Sequence, residues 1–284
     1  MPGDAPGHGA PGGTGTAAAG KGAGRRARQR RAPSASAHTR EHQAEALVID
    51  GDPAGLFIVF EGPEGSGKTT QAQLLGDALR QQGLDVDLTR EPGGTPLGER
   101  LRRVLLQEQD MQAVDPRVQA LLMSAARSQH VTERIRPHLE QGGVVICDRF
   151  AASTRAYQGG GFRLRRRDLE HLTSFAVQGV MPDVTVLLDV EVESGLKRSL
   201  SHRNTDWEKA GGINWHGLPF HRRVRDSYLD QAAGDPDRWL VVDGLQPPQD
   251  ISAEILGRVQ PEADARELRH VTAPVQRLLP LSIA

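Results

Sequence analysis

Five short apolar runs punctuate a chain that is otherwise patterned for helices: Phe57–Glu61, Leu84–Thr89, Val144–Asp148, Val184–Val190 and Trp239–Asp243. Each has the length and the β-branched or aromatic content of a buried strand. Helical spacing fills the intervals. Ala72, Leu75 and Leu79, with Leu74 and Ala78 beside them, recur at helical period after Lys68, and Gly83 marks the stop. A short helix is predicted from Pro96 to Leu106, with proline in its first turn. Asp115-Pro116 supplies an N-cap and a proline at N1 for a longer one through Leu121, Leu122 and Ala125, which Pro137 kinks or breaks. Further helices are predicted over 167–180, 192–200, 218–233 and 251–259. Strands alternating with helices predict right-handed βαβ units, a parallel five-stranded sheet and a three-layer α/β/α fold, with ligands beyond the carboxyl ends of the strands. Residues 261–284 carry only a weak helical pattern and read as a C-terminal tail.

The first strand breaks into Gly62-Pro63-Glu64-Gly65-Ser66-Gly67-Lys68-Thr69-Thr70. G-x-x-x-x-G-K-T is meaningful only between a strand and a helix, and it stands there. Glycines let backbone N–H groups curl around phosphate oxygens where a Cβ would block approach. Lys68 reaches the β- and γ-phosphates, the Thr69 hydroxyl suits Mg²⁺, and the helix that follows aims its N-terminal dipole at the anion. This is a P-loop, and residues 62–70 are the expected segment for binding a nucleoside triphosphate.

Composition narrows the class. With 284 residues, the chain holds one α/β domain plus extensions. One cysteine, Cys147, leaves no disulfide framework within the chain, which is compatible with a cytoplasmic location. No apolar run is long enough for a transmembrane helix, and no apolar h-region marks a signal peptide. The net charge of −1 hides an excess of six positive charges in the first forty residues. No Val, Ile, Leu, Phe, Tyr or Trp precedes Leu47, so residues 1–52 are expected to be a disordered Gly/Pro/Arg-rich extension. A nucleic-acid-binding arm at Arg25 to Arg31 and a transit peptide are the alternatives; a solvated extension, or a start codon placed too early, is the expectation, without a nucleic-acid partner. The folded domain is then 53–260.

Candidate chemistry gathers where strands end. The second strand leads into Arg90-Glu91-Pro92-Gly93-Gly94-Thr95-Pro96, a rigid loop that aims a cation at the site. The third ends in Asp148-Arg149. A carboxylate there, facing a P-loop, holds Mg²⁺ directly or through water, and the arginine can fork onto a phosphate. Ser153-Thr154-Arg155-Ala156-Tyr157-Gln158-Gly159-Gly160-Gly161 offers the hydroxyls, ring and amide that a base and sugar need. Arg127 lies on a helix that is apolar at Leu122, Ala125 and Ala126. Asp189 reads as a structural carboxylate and Cys147 as a small core residue. The histidines, His202 and His216 among them, lack metal-ligand spacing.

These segments together, F-E-G-P-E-G-S-G-K-T-T, T-R-E-P-G-G-T, S-A-A-R, D-R-F with S-T-R-A-Y-Q-G-G-G, and L-L-D-V, closely resemble the bacterial thymidylate kinases over roughly residues 55–258. The resemblance implies phosphoryl transfer from ATP to dTMP, giving ADP and dTDP, with Mg²⁺ and a helical lid over the site. It implies that Lys68 and Thr69 serve the ATP phosphates and the metal, with Asp148. Glu64 would approach the sugar 3′-hydroxyl. Arg90, Arg127 and Arg149 would gather around the acceptor phosphate and the thymine, with Arg102 at another basic position. Tyr157 would press on the deoxyribose, Ser153 and Gln158 would line the acceptor pocket, and Asp243-Gly244-Leu245-Gln246-Pro247 would border adenine. Members are usually homodimers packed through helices.

Two positions depart from the family pattern. Met123 stands where an aromatic ring usually stacks on thymine, which predicts weaker or less selective base binding. The P-loop carries no arginine, and the lid region, 201–217, lacks the usual Asp-Arg-x-Glu-like segment and holds only Arg203 and Lys209 as cations. Arg203 is therefore expected to close over the transferring phosphate, with Arg198 or Arg222 as backups. A catalytically impaired regulatory P-loop protein and a nucleoside-monophosphate kinase of altered base choice stay as alternatives.

Overall fold

The computed structural model describes residues 54–107, 114–201 and 216–271. In chain order the elements are β1 (Leu56–Glu61), α1 (Lys68–Gln81), β2 (Val86–Arg90), α2 (Pro96–Gln107), α3 (Pro116–His130) and, after a π-helical turn (Val131–Ile135), α4 (Arg136–Glu140). Then follow β3 (Val144–Asp148), α5 (Ala151–Thr154), a second π-helical segment (Arg155–Gly161), α6 (Arg166–Val177), β4 (Val184–Asp189), α7 (Val192–Ser201), α8 (Leu218–Gly234), β5 (Trp239–Asp243) and α9 (Pro248–Asp264).

The sheet is parallel throughout, in the order β2-β3-β1-β4-β5. Alternation along β1 builds both layers of core at once. Leu56, Ile58 and Phe60 face α1 (Ala72, Leu75, Leu79) and α9 (Ile251, Ile255, Val259). Phe57 and Val59 face the opposite layer with Val131, Ile135, Leu139, Phe150 and Val177. Full burial of each such side chain stabilises the fold by roughly 1.5–3 kcal/mol. A third cluster sets Leu187 of β4 against Phe220, Val224 and Tyr228, which recur every four residues along α8.

Local signals act as expected at several ends. Asp115 caps α3 by accepting from the Arg117 amide at 2.8 Å, with Pro116 in the first turn. Several boundaries differ: the helix predicted to Val180 ends at Val177, and residues 151–161 are helical where no helix is predicted. Leu84 precedes β2 and instead forms an isolated antiparallel bridge with His270. The break expected at Pro137 is a π-helical turn just before it. The last helix runs past Val259 to Asp264 with Pro261 inside it, because Ile251, Ile255, Val259 and Ala263 continue one buried stripe. The lid residues 202–215, and with them Arg203 and Lys209, lie outside the described residues, as do 1–53.

Candidate active site

Parallel register sets the site. Arg90 of β2, Asp148 of β3 and Phe60 of β1 lie abreast, and Glu61 is opposite Leu187 of β4. The loops leaving these ends border a cleft of about 1080 Å³, large for one small ligand. Residues 64–70 line it, together with Arg90, Arg102, Met123, Arg127, Asp148, Arg149, Ser153, Tyr157 and Gln158. Arg198, Gly244 and Gln246 line it too. Gly62 and Pro63 do not reach the cleft; their carbonyls accept from Lys68 Nζ at 3.1 and 2.8 Å.

Gly67, at φ 93°, caps α1 in a left-handed conformation. Gly65, at φ 69°, abuts the Gly195 carbonyl of α7, so a Cβ there would run into the helix that leads to the lid. Lys68 is nearly buried among the Gly62 and Pro63 carbonyls and Ser66 Oγ. Burial, and next the Arg149 guanidinium, pull its pKa down to about 8.

Arg149 joins the loops. Its backbone is left-handed (φ 72°), and its amide donates to Phe60 O at 2.9 Å. Nη2 donates to Glu64 Oε1 at 2.9 Å and to the Tyr157 hydroxyl at 3.1 Å. Nη1 reaches Gly62 O, Ser153 Oγ and the Tyr228 hydroxyl at 3.2, 3.3 and 3.0 Å. Glu64 also accepts from the Tyr157 hydroxyl at 2.6 Å. Burial alone would raise the Glu64 carboxyl, but Arg149, Lys68 and this hydrogen bond together hold it below the usual range.

Arg127 is only 2% exposed, with every nitrogen of its guanidinium engaged. Nε donates to Glu91 Oε2 at 2.8 Å, Nη1 to Thr154 Oγ1 at 3.1 Å and Nη2 to Phe150 O at 3.0 Å. Glu91 Oε1 lies 3.2 Å from His130 Nδ1, whose other ring nitrogen meets Thr89 Oγ1 at 2.8 Å. Arg90 is half exposed and pairs with Glu99 at 3.1 Å, while Arg102 Nη1 donates to Pro92 O at 2.9 Å. Met123 packs beside Leu105, and Gln158 is buried.

Thr69 Oγ1 donates to Asp148 Oδ2 at 2.5 Å. Among the described residues no group of three or more His, Cys, Asp or Glu could hold a metal. One hydroxyl and one carboxylate, both hard oxygen donors, fit Mg²⁺, which keeps waters and takes phosphate oxygens for the rest of its shell. Of the two backup lid cations, Arg198 lies in the cleft, where Nη1 donates to Gly244 O at 2.7 Å, and Arg222 pairs with Glu193 at 2.5 Å. Asp189 forms a bidentate pair with Arg225 at 2.6 and 2.7 Å, a structural role. Cys147 is fully buried, and burial pushes its thiol well up, away from a nucleophile's range.

Residue patterns did not single out Glu61, Tyr228 or His130. Glu61 carried a readable signal, since it is a carboxylate ending an apolar strand, as Asp148 is. Tyr228 and His130 show their role only through neighbours distant in sequence.

Comparison with known proteins identifies the family. A family model described as thymidylate kinase matches residues 60–255. A thymidylate kinase of Roseiflexus sp. (strain RS-1) is 44% identical over 213 residues, covering 72% of this chain and 94% of the relative. That of Thermomicrobium roseum is 47% identical over 203 residues, covering 72% and 93%. The crystal structure of thymidylate kinase from Ehrlichia chaffeensis superposes with a TM-score of 0.57 at 33% identity, covering 73% of this chain and all of that one. The family model spans most of the folded part of the chain and the relatives are matched along nearly their whole length, so the chain belongs to the thymidylate kinase family.

Proposed function

We propose that this protein transfers the γ-phosphoryl group of ATP to dTMP, giving ADP and dTDP in the route to dTTP. The observation that carries this reading is Arg149, which bonds at once to the P-loop and to Tyr157 of the second π-helical segment. Donor and acceptor phosphates repel each other, and a guanidinium between their sites offsets that repulsion. The transition state is loose, so catalysis is mostly positioning and charge stabilisation.

In this reading the P-loop amides and Lys68 hold the donor phosphates. Arg149, with Arg90 and Arg102, holds the acceptor phosphate, while Arg127, Met123 and Gln158 form the base pocket. Glu64 receives the sugar 3′-hydroxyl, Tyr157 excludes a 2′-hydroxyl, and Ser153 supports the acceptor wall. Thr69 and Asp148, the latter directly or through water, would hold Mg²⁺, which would supply charge neutralisation at the transferring phosphate. Arg203 provides the lid cation, which the P-loop lacks.

A homodimer fits the surface. Helix α3, which packs against both α2 and α6, and those two helices expose Leu97, Val104, Val118, Leu121 and Phe175, the last at 80%. Such a face is a candidate for burial by a second copy, and a sedimentation mass of one chain would contradict this. No described helix is long and apolar enough to cross a membrane, and a cytoplasmic location suits the reaction.

A substrate panel tests the function. ADP release should be fastest with dTMP and much slower with dUMP, dGMP and AMP; a preference for another acceptor would overturn the assignment.

A further inference from the structure

Glu61 is fully buried, and four donors converge on it. Oε1 accepts from the backbone amides of Phe150 at 2.9 Å and Ser153 at 3.1 Å. Oε2 accepts from Ser153 Oγ at 2.7 Å and from the Tyr228 hydroxyl at 2.9 Å. A buried carboxylate is costly unless its lone pairs are satisfied, and here they are. Burial pushes the carboxyl upward, while Arg149 and these donors oppose the push.

The four bonds bear on a single neighbour. Phe150 directly follows Arg149, so Glu61 grips the chain on one side while Phe60 O holds the Arg149 amide on the other. That double grip fixes a non-glycine residue in a left-handed conformation, which ordinary backbone avoids. The side-chain bonds act on the guanidinium itself. With Glu61 ionised, Ser153 Oγ and the Tyr228 hydroxyl each give their only proton to the carboxylate or, across the 2.8 Å between them, one to the other, and in either arrangement no proton turns toward Arg149. Their lone pairs are left facing Arg149 Nη1, at 3.3 and 3.0 Å. Tyr228 reaches this point from α8, buried and edge-on to Tyr157 at 6.4 Å between ring centroids.

We propose that Glu61 and Tyr228 are positioning residues that aim the Arg149 guanidinium by orienting the hydroxyls that receive it. The inference rests on the proposed function, in which Arg149 holds the acceptor phosphate. Two variants probe it without emptying the core. Tyr228→Phe keeps the ring and removes the hydroxyl. Glu61→Gln keeps the shape but presents a donor to both hydroxyls, which leaves their two protons only each other and the Arg149 side to turn to.

A double-mutant cycle distinguishes positioning from general support. The dissociation constants of dTMP and ATP are measured by calorimetry on the full chain as native protein, Tyr228→Phe, Arg149→Ala and the double variant, with Glu61→Gln in parallel. Tyr228→Phe should weaken dTMP about tenfold in the native background, the scale of a hydrogen bond to a charged group. It should change dTMP binding less than twofold once Arg149 is gone and leave ATP binding within twofold throughout. Glu61→Gln should weaken dTMP at least as much as Tyr228→Phe. Equal losses in both backgrounds, or no loss in the native one, would overturn the inference. Native protein that binds ATP but not dTMP would instead overturn the functional reading beneath it.

Discussion

Arg149 Nη2 donates to Glu64 Oε1 across 2.9 Å, tying the residue after β3 to the middle of the P-loop. The guanidinium and the carboxylate are both largely buried, so the bond acts where water screens it little. Glu64→Gln should therefore lower kcat/KM for dTMP by about 1.5–3 kcal/mol, roughly ten- to a hundredfold. KM for ATP should change little, because the loop backbone still cradles phosphate. Steady-state kinetics with each substrate varied in turn checks both halves.

Lys68 gives the reaction its alkaline limit. Its pKa is lowered to about 8, so the free protein loses this proton as pH rises through that value. ATP phosphates favour the charged form and raise the pKa once bound. The expected profile is kcat/KM for ATP falling above a midpoint near 8, with kcat persisting to higher pH. A kcat/KM for ATP that stays flat well above pH 8 would contradict it.

The Arg127–Glu91 pair is buried on both sides, at 2% and 4% side-chain exposure. Removing one partner strands the other charge, and Glu91→Ala should cost about 3–5 kcal/mol of stability. Denaturant unfolding measures this directly, and a midpoint equal to that of the native protein would rule it out.

Met123 lines the cleft beside Leu105 without the flat face of an aromatic ring. Met123→Phe should tighten dTMP binding by about 0.5–1.5 kcal/mol, the range of aromatic pairing. Calorimetric dTMP affinity unchanged by the substitution would remove Met123 as the cause of any weak base recognition.

Arg203 is the proposed lid cation. An arginine acting on the transferring phosphate is worth about 10³–10⁵ in rate. Arg203→Ala should thus reduce kcat far more than it raises either KM. Near-normal kcat would send the search to Arg198, which already lies in the cleft.

Much of this was legible in the chain because buried parallel strands write themselves as apolar runs. Val144–Asp148 falls where the pattern puts it, and so does Trp239–Asp243, although only Val242 of that edge strand is buried. The P-loop and the Asp148-Arg149 step read from local chemistry in the same way. Boundaries failed where tertiary contact outweighed a local rule. Pro261 should end a helix, yet the stripe from Ile251 to Ala263 keeps it going. Leu84 has strand character, yet it pairs with His270 instead of extending β2. The support behind the arginines was the least legible part. Glu61 meets Tyr228 across 167 residues and Glu91 meets His130 across 39, and no periodicity encodes such meetings.

The central claim is transfer to dTMP, and its most direct measurement mixes the full chain with ATP, Mg²⁺ and dTMP and follows products by chromatography. The expected result is ADP and dTDP formed in equal amounts, with ADP formation abolished when dTMP is omitted. Binding of both nucleotides without any dTDP would contradict the account.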